Sequence, residues 1–254
     1  MNNFHDHHPG VAIVTALAAE RKVLATHSLS DISIHQCGMG CGSAFGKASR
    51  LPAGTMLGSI GVSGGLAPDL APGSVIVADT VYTQCRQSVC PQDLYYPDAQ
   101  LTALLETALR GQGIDYRRGP VLCVDEPMLT PADKARTHYR TGALAVDMES
   151  AGVAEAARRK GLPFFCLRVI CDPAWRGVAP ELLKGVDARG NSRPFHLAAA
   201  VGRRPRLFFS LLRMAGNFSQ AASAMRRTWK AIQPVLHDLA RSAARSPDSH
   251  TQGL

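Results

Sequence analysis

The sequence predicts an α/β fold. Short apolar runs of strand length recur through the first two-thirds of the chain, as VAIVT at 11–15, VIVADTVY at 75–82 and FFCLRVICD at 164–172. Helix-period stretches separate many of them, and alternation of this kind is the signature of helices packed on a largely parallel sheet. Neither an internal repeat nor a linker interrupts the pattern. The expected organisation is a disordered N-terminus at 1–10, one domain over 11–245 and a disordered tail at 246–254. Within that domain, 179–243 carries an amphipathic basic insertion and the last helices.

Residues 11–15 suit a buried first strand. ALAAERKVLATH then reads as a loop turning into a helix with Glu20 in its first turn, where an acid favours the positive helix end. A second strand over 32–37 runs into CGMGCGSAFGKAS. There Gly38, Gly40 and Gly42 let backbone N–H groups approach an anion or a sugar ahead of a helix start. A plain turn is the competing reading, and the spacing is not the dinucleotide fingerprint.

Residues 57–65 form a strand ending in Ser63-Gly64-Gly65, small enough for a flat ligand to approach. Residues 83–98 read as a polar loop, and 99–112 as a helix with Leu101, Leu104, Leu105 and Leu109 on one face. A further strand follows at 119–125. Thr130-Pro131 starts a helix, with Thr as cap and Pro in the first turn.

LAVDMESAGVAEAARRKG, 144–161, reads as a strand end, an acid and a helix closed by Gly161. The apolar strand behind it ends on Asp172. Glu149 and Asp172 thus stand at the ends of two elements able to lie side by side, an arrangement suited to catalysis. The plainer reading is that each acid caps a turn.

Composition bounds the function. The charge of +8 is uneven: no acid lies between Ala188 and His237, whereas nine basic residues do. The remainder is close to neutral, so an acidic surface is a natural partner for the late segment. Leu207, Phe208, Leu211, Leu212 and Ala215 share a helical face there, with Phe209 and Met214 beside it. With flanking Arg residues that face suits core or a lipid interface. A last amphipathic helix is expected at 219–243. Aromatic residues and Lys are not interleaved as a strand-binding groove needs, so nucleic acid is not an expected partner. Seven Cys without paired spacing, no secretory leader and no run of about 18 apolar residues point to a reduced cytoplasmic protein.

Four ordered blocks, TALAAER, SGGLAPDLAPGSVIVAD, AVDMESAGVAEAA and RVICD, resemble the nucleoside phosphorylase and nucleosidase superfamily. They look closest to its methylthioadenosine/adenosylhomocysteine nucleosidase branch. The CGMGCGSA loop, LTPADKA and the late segment rich in Arg and Phe are similar to the hopanoid-associated phosphorylases. The resemblance implies a three-layer α/β/α sandwich around a mixed, partly barrel-like sheet and a homo-oligomer. It also implies an enzyme that releases adenine from a nucleoside, foremost adenosylhopane in hopanoid biosynthesis. A soluble methylthioadenosine/adenosylhomocysteine nucleosidase or purine nucleoside phosphorylase is the alternative. With a lipid substrate, 203–218 would touch the inner face of the membrane.

By the same resemblance, Glu149 grips the ribose hydroxyls, Met148 lies under the sugar, Asp172 protonates the purine and Glu20 binds the attacking water. Ser63 and Gly64 line the base and ribose, and the backbone near Pro127 and Met128 reads the adenine edge. No metal or organic cofactor is implied. Phosphate is allowed as a co-substrate, held by Gly40, Gly42 and Ser43 with Arg21 or Lys47 nearby, so water and phosphate both stand as acceptor. Two positions depart from the family pattern: Pro173-Ala174-Trp175 follows Asp172, and Val62 stands where nucleosidases often carry Ser.

Overall fold

Apolar runs at 11–15, 75–78 and 164–170 are buried on both faces and become strands, and in the computed structural model eight strands join one mixed sheet. The structure describes residues 10–27, 30–52, 56–83 and 94–244. The expected disorder at both termini, together with Cys85 and Cys90, falls outside the described residues apart from Gly10. In chain order the elements are β1 (Val11–Thr15), α1 (Ala18–Leu24), β2 (Ile32–Gln36), α2 (Cys41–Ser49), β3 (Met56–Gly65), β4 (Val75–Thr83), β5 (Leu94–Tyr95) and α3 (Ala99–Gly111). They continue with β6 (Tyr116–Cys123), α4 (Pro131–Thr141), β7 (Ala145–Asp147), α5 (Ser150–Lys160), β8 (Phe164–Asp172), α6 (Pro180–Leu183), α7 (Pro194–Arg203) and α8 (Leu207–Ala244).

Five strands close on themselves. β3 pairs with β8 in parallel and with β7 antiparallel, β8 runs antiparallel to β4, and β6 bridges β4 and β7 in parallel. β1 and β2 extend the sheet beyond β3, and β5 covers the far side of β4. Closure leaves few open edges and gathers the ends of β3, β7 and β8 at one rim. α1, α3 and the later part of α8 pack on one side, burying Leu24, Leu105, Met225 and Trp229. α2 and α5 cover the other side with small residues, Ala44, Ala48 and four alanines of α5. At Gly152 a Cβ would meet the Cys41 carbonyl at 2.2 Å, so this helix pair requires glycine. The layered α/β/α architecture with a barrel-like sheet is the expected one.

Local signals set several boundaries. Thr130 Oγ1 accepts the Asp133 N–H at 3.1 Å, with Pro131 in the first turn. Gly142 and Gly161 end α4 and α5 with left-handed φ of 68° and 63°. Three details differ from expectation. β6 begins at Tyr116, and the two-residue β5 interrupts the loop read over 83–98. One continuous helix runs from Leu207 to Ala244 where a separate helix was expected at 219–243. Gly216 costs a helix about 1 kcal/mol and is no terminator by itself. The buried face from Ala221 onward anchors the helix that extends back through it.

Candidate active site

The rim is built from strand ends. Gly64 of β3 registers with Val146 of β7 on one side and Asp172 of β8 on the other. Pairing slips there: Ser63 opposes Ile170 and Gly64 opposes Asp172, leaving Cys171 as an extra residue. Such a bulge re-aims a strand end. Cys171 and Asp172 both line a cavity of about 560 Å³. Glu20, Ser63, Gly64, Pro127, Met128, Met148 and Glu149 line it as well, so residues from five separate stretches meet.

Glu20 is buried, and each oxygen has a partner. Oε2 accepts from Thr15 Oγ1 at 2.6 Å and from the Leu17 N–H at 2.8 Å, while Oε1 accepts from the Val62 N–H at 2.7 Å. A Cβ at Gly61 would lie 2.9 Å from Oε1, so glycine is what lets β3 approach the acid. Burial raises the proton affinity of Glu20, and these hydrogen bonds oppose it.

Glu149 Oε1 accepts the Gly40 N–H at 2.8 Å. Burial pushes its carboxyl up to about 7, aided by the negative charge of Asp147 and opposed by the Gly40 bond and Arg168. Gly40 therefore reaches Glu149 through its backbone, whereas Gly42 and Ser43 are exposed and do not line the cavity. Ser63 is buried with no partner for its hydroxyl among the described residues, leaving it free for a ligand.

Two buried pairs support these acids. Arg168 Nε donates to Asp147 Oδ2 at 2.5 Å and its Nη2 donates to Ser59 Oγ at 2.6 Å. Asp147 Oδ1 also accepts from Ser150 Oγ at 2.7 Å. Both charged side chains are almost wholly buried, and Arg168 draws down the proton affinities of Glu20 and Glu149. Sequence reasoning passed over this pair, although Asp147 and Ser150 stand inside DMES and Arg168 inside RVICD. Lys134 was also missed. Its side chain is buried, and its nitrogen pairs with Asp172 Oδ2. The sequence signals were its place in LTPADKA and its inward position on the helix.

The late segment forms the outer wall. Leu182, Val186, Leu197, Leu211, Met214 and Phe218 line the cavity, joining the acids to a broad apolar surface. The stretch 184–191 is pinned to the rim: Gly190 O accepts from the Ala18 N–H at 3.0 Å and Ala188 O from the Met39 N–H at 3.0 Å. The single apolar face read at the start of α8 divides. Leu211, Met214 and Ala215 line the cavity, whereas Phe208, Phe209 and Leu212 are 47%, 68% and 54% exposed. Helical spacing put these residues together, but two surroundings separate them. Among the described residues, no cluster of His, Cys, Asp or Glu has the geometry to hold a metal ion.

The family model for the phosphorylase superfamily matches residues 17–201. A futalosine hydrolase of Streptomyces coelicolor is 33% identical over 154 residues, 54% of this chain, and the match spans 64% of that relative's length. Among solved structures, the native futalosine hydrolase of Helicobacter pylori strain 26695 superposes with a TM-score of 0.67 at 16% identity, covering 89% of this chain and 97% of the other. The Helicobacter pylori 5′-methylthioadenosine/S-adenosylhomocysteine nucleosidase bound to butyl-thio-DADMe-Immucillin-A gives a TM-score of 0.66 at 15% identity, covering 90% and 97%. At these identities the structural likeness speaks to the fold.

Proposed function

The chain belongs to the phosphorylase superfamily, the nucleoside phosphorylases and nucleosidases, and from that premise we propose that it cleaves the N-glycosidic bond of an adenine nucleoside bearing a bulky apolar 5′ group. Adenosylhopane, in hopanoid biosynthesis, is the substrate we assign. One observation carries the choice: the cavity continues from the three acids onto the apolar wall of Leu182, Val186, Leu197, Leu211, Met214 and Phe218. A compact nucleoside leaves that wall uncovered. A lipid tail covers it, at a gain of roughly 25 cal/mol per Å² of apolar surface buried.

The reaction follows from the residues present. As the C–N bond breaks, positive charge grows on the sugar and negative charge on the base. Asp172 gives its proton to the base nitrogen, and burial helps it hold that proton beforehand. Glu149 accepts hydrogen bonds from the ribose hydroxyls, which strengthen as the sugar becomes cationic. Glu20 takes a proton from water as the water oxygen bonds to the anomeric carbon. Water is the acceptor these contacts favour, because the Gly40 N–H already serves Glu149 and the exposed Gly42–Ser43 stretch does not line the cavity. The name of the Streptomyces relative, a hydrolase, agrees with that choice.

The arm formed by α7 and the start of α8, 193–218, supports a peripheral membrane contact. Phe195, Phe208, Phe209 and Leu212 are exposed among Arg193, Arg203, Arg206 and Arg213, also exposed. Aromatic groups with flanking Arg suit an anionic interface. Among the described residues no helix is long and apolar enough to cross a membrane. Assembly as a homo-oligomer belongs to the same reading.

Incubating the purified protein with adenosylhopane, with and without phosphate, and measuring free adenine tests this. Release in both buffers is the expected result. No adenine in either buffer sinks the reading, and release confined to phosphate overturns water as acceptor. Faster turnover of 5′-methylthioadenosine than of the lipid nucleoside favours the alternative of a small-nucleoside enzyme.

A further inference from the structure

We propose that Lys134 is a positioning residue, holding Asp172 and the turn behind it in the geometry from which the carboxyl protonates the leaving base. The inference rests on the reading of Asp172 as proton donor and goes beyond it. Lys134 projects inward from α4 with no exposed surface, while its neighbours Asp133 and Arg136 face solvent. Its three N–H donors are shared among four oxygens of one short stretch: Asp172 Oδ2, Asp172 O at 3.3 Å, Pro173 O at 3.0 Å and Arg176 O at 3.2 Å.

The need for such a device follows from the sequence. Pro173 has no N–H, so the residue after the acid cannot brace the turn as a donor. A buried cation instead collects the turn's carbonyls and the carboxylate together. Burying an ammonium is costly unless it is surrounded by acceptors, and these four oxygens supply them. Lys134 thereby ties α4 to the end of β8.

Charge gives the contact a second consequence. Lys134 from α4 and Arg176 from the turn are the cations acting on Asp172. Cys171 precedes it on β8. Glu20 of α1, Asp147 and Glu149 at the end of β7, and Arg213 of α8 line the same cavity. Burial strengthens the hold of Asp172 on its proton, and Lys134 weakens it. Removing Lys134 leaves burial opposed only by Arg176, so Asp172 stays protonated to higher pH and donates less readily.

The experiment measures adenine release against pH, using adenosylhopane, or 5′-methylthioadenosine should the lipid nucleoside not turn over. Lys134→Met is expected to lower kcat about 10²-fold, the scale of a small misplacement of a catalytic group. Its alkaline limb should move to higher pH. Lys134→Ala should recover part of its kcat with added ethylammonium. In an Asp172→Asn background, Lys134→Met should change turnover by less than about twofold, because coupled residues are non-additive.

An unmoved alkaline limb, with the same loss in both backgrounds, overturns the proposal and leaves a purely structural ion pair. Unchanged turnover in Asp172→Asn alone overturns instead the proton-donor reading on which it rests. Should the Lys134 variants fail to fold, the side-chain ammonium resonance of the wild-type protein reads the same contact. A shift through the alkaline limb of kcat is expected, and a resonance flat across that limb overturns the proposal.

Discussion

The backbone N–H of Gly40 donates to Glu149 Oε1 at 2.8 Å across 109 positions of sequence. The glycine-rich turn thus serves the acid proposed to hold the sugar. Gly40 adopts φ +98°, and a Cβ placed there would meet nothing within 4 Å, so the constraint is backbone conformation and not space. Gly40→Ala is expected to turn this N–H away from Glu149. The Glu149 carboxyl, already pushed up to about 7 by burial and by Asp147, then rises further. The acid limb of kcat/KM should lie near pH 7 in the wild type, move upward in Gly40→Ala and vanish in Glu149→Gln with a loss of roughly 10²-fold. A wild-type profile flat from about pH 5.5 to 8 contradicts this.

Glu149 should also shape stability. Its proton affinity is raised in the fold, so its contribution is fully present below its ordinary value of 4.5 and is lost as pH rises through about 7. Glu149→Gln should therefore be more stable than wild type above pH 7, by about 1–3 kcal/mol, and the advantage should shrink on acidification. Urea unfolding at pH 5 and pH 8 measures the difference, and equal differences at both values refute it.

Arg168 and Asp147 form a buried pair whose halves depend on each other. Arg168→Met leaves Asp147 without its cation and should cost about 3–5 kcal/mol in urea unfolding. Arg168→Met combined with Asp147→Asn should recover part of that loss. If the double variant is no better than the single one, the pair is not the source of the cost.

Glu20 is expected to decide the acceptor. Glu20→Gln keeps the size of the side chain but removes the base, and should lower adenine release by about 10²–10⁴-fold. Added phosphate should not restore it. Restoration by phosphate would mean that the enzyme uses phosphate as its nucleophile. Gly61→Ala, whose Cβ would press on Glu20 Oε1 at 2.9 Å, should reproduce part of the loss.

On the arm, inward and outward residues should separate by assay. Replacing Phe208, Phe209 and Leu212 by Ser should weaken sedimentation with anionic phospholipid vesicles about tenfold, from lost apolar contact. Turnover of 5′-methylthioadenosine should stay within about twofold of wild type. Phe218→Ala should raise KM for adenosylhopane and spare that of the small nucleoside. Unchanged vesicle binding in the triple variant would remove the membrane contact from the proposal.

Much of this protein was legible in its sequence. The strand at 164–172, the cap at Thr130 and the stop at Gly161 act within a turn or two of chain, where local pattern decides conformation. The acids Glu20, Glu149 and Asp172 and the linings Ser63 and Met128 all reach one cavity, because short strands of a closed sheet deliver their ends to one rim. The three-residue strand β7 brings Glu149 there just after its end.

The sequence by itself determined most of the strands and helices and placed Glu149 and Asp172 at element ends. Only the tertiary structure decided what surrounds them: Gly40 on Glu149, Lys134 on Asp172, Arg168 on Asp147, and the division of α8 into a cavity wall and an exposed face. Periodicity and capping are short-range and readable along the chain. Burial and charge pairing depend on distances of a few ångströms between residues far apart in sequence, and those distances exist only once the sheet has closed.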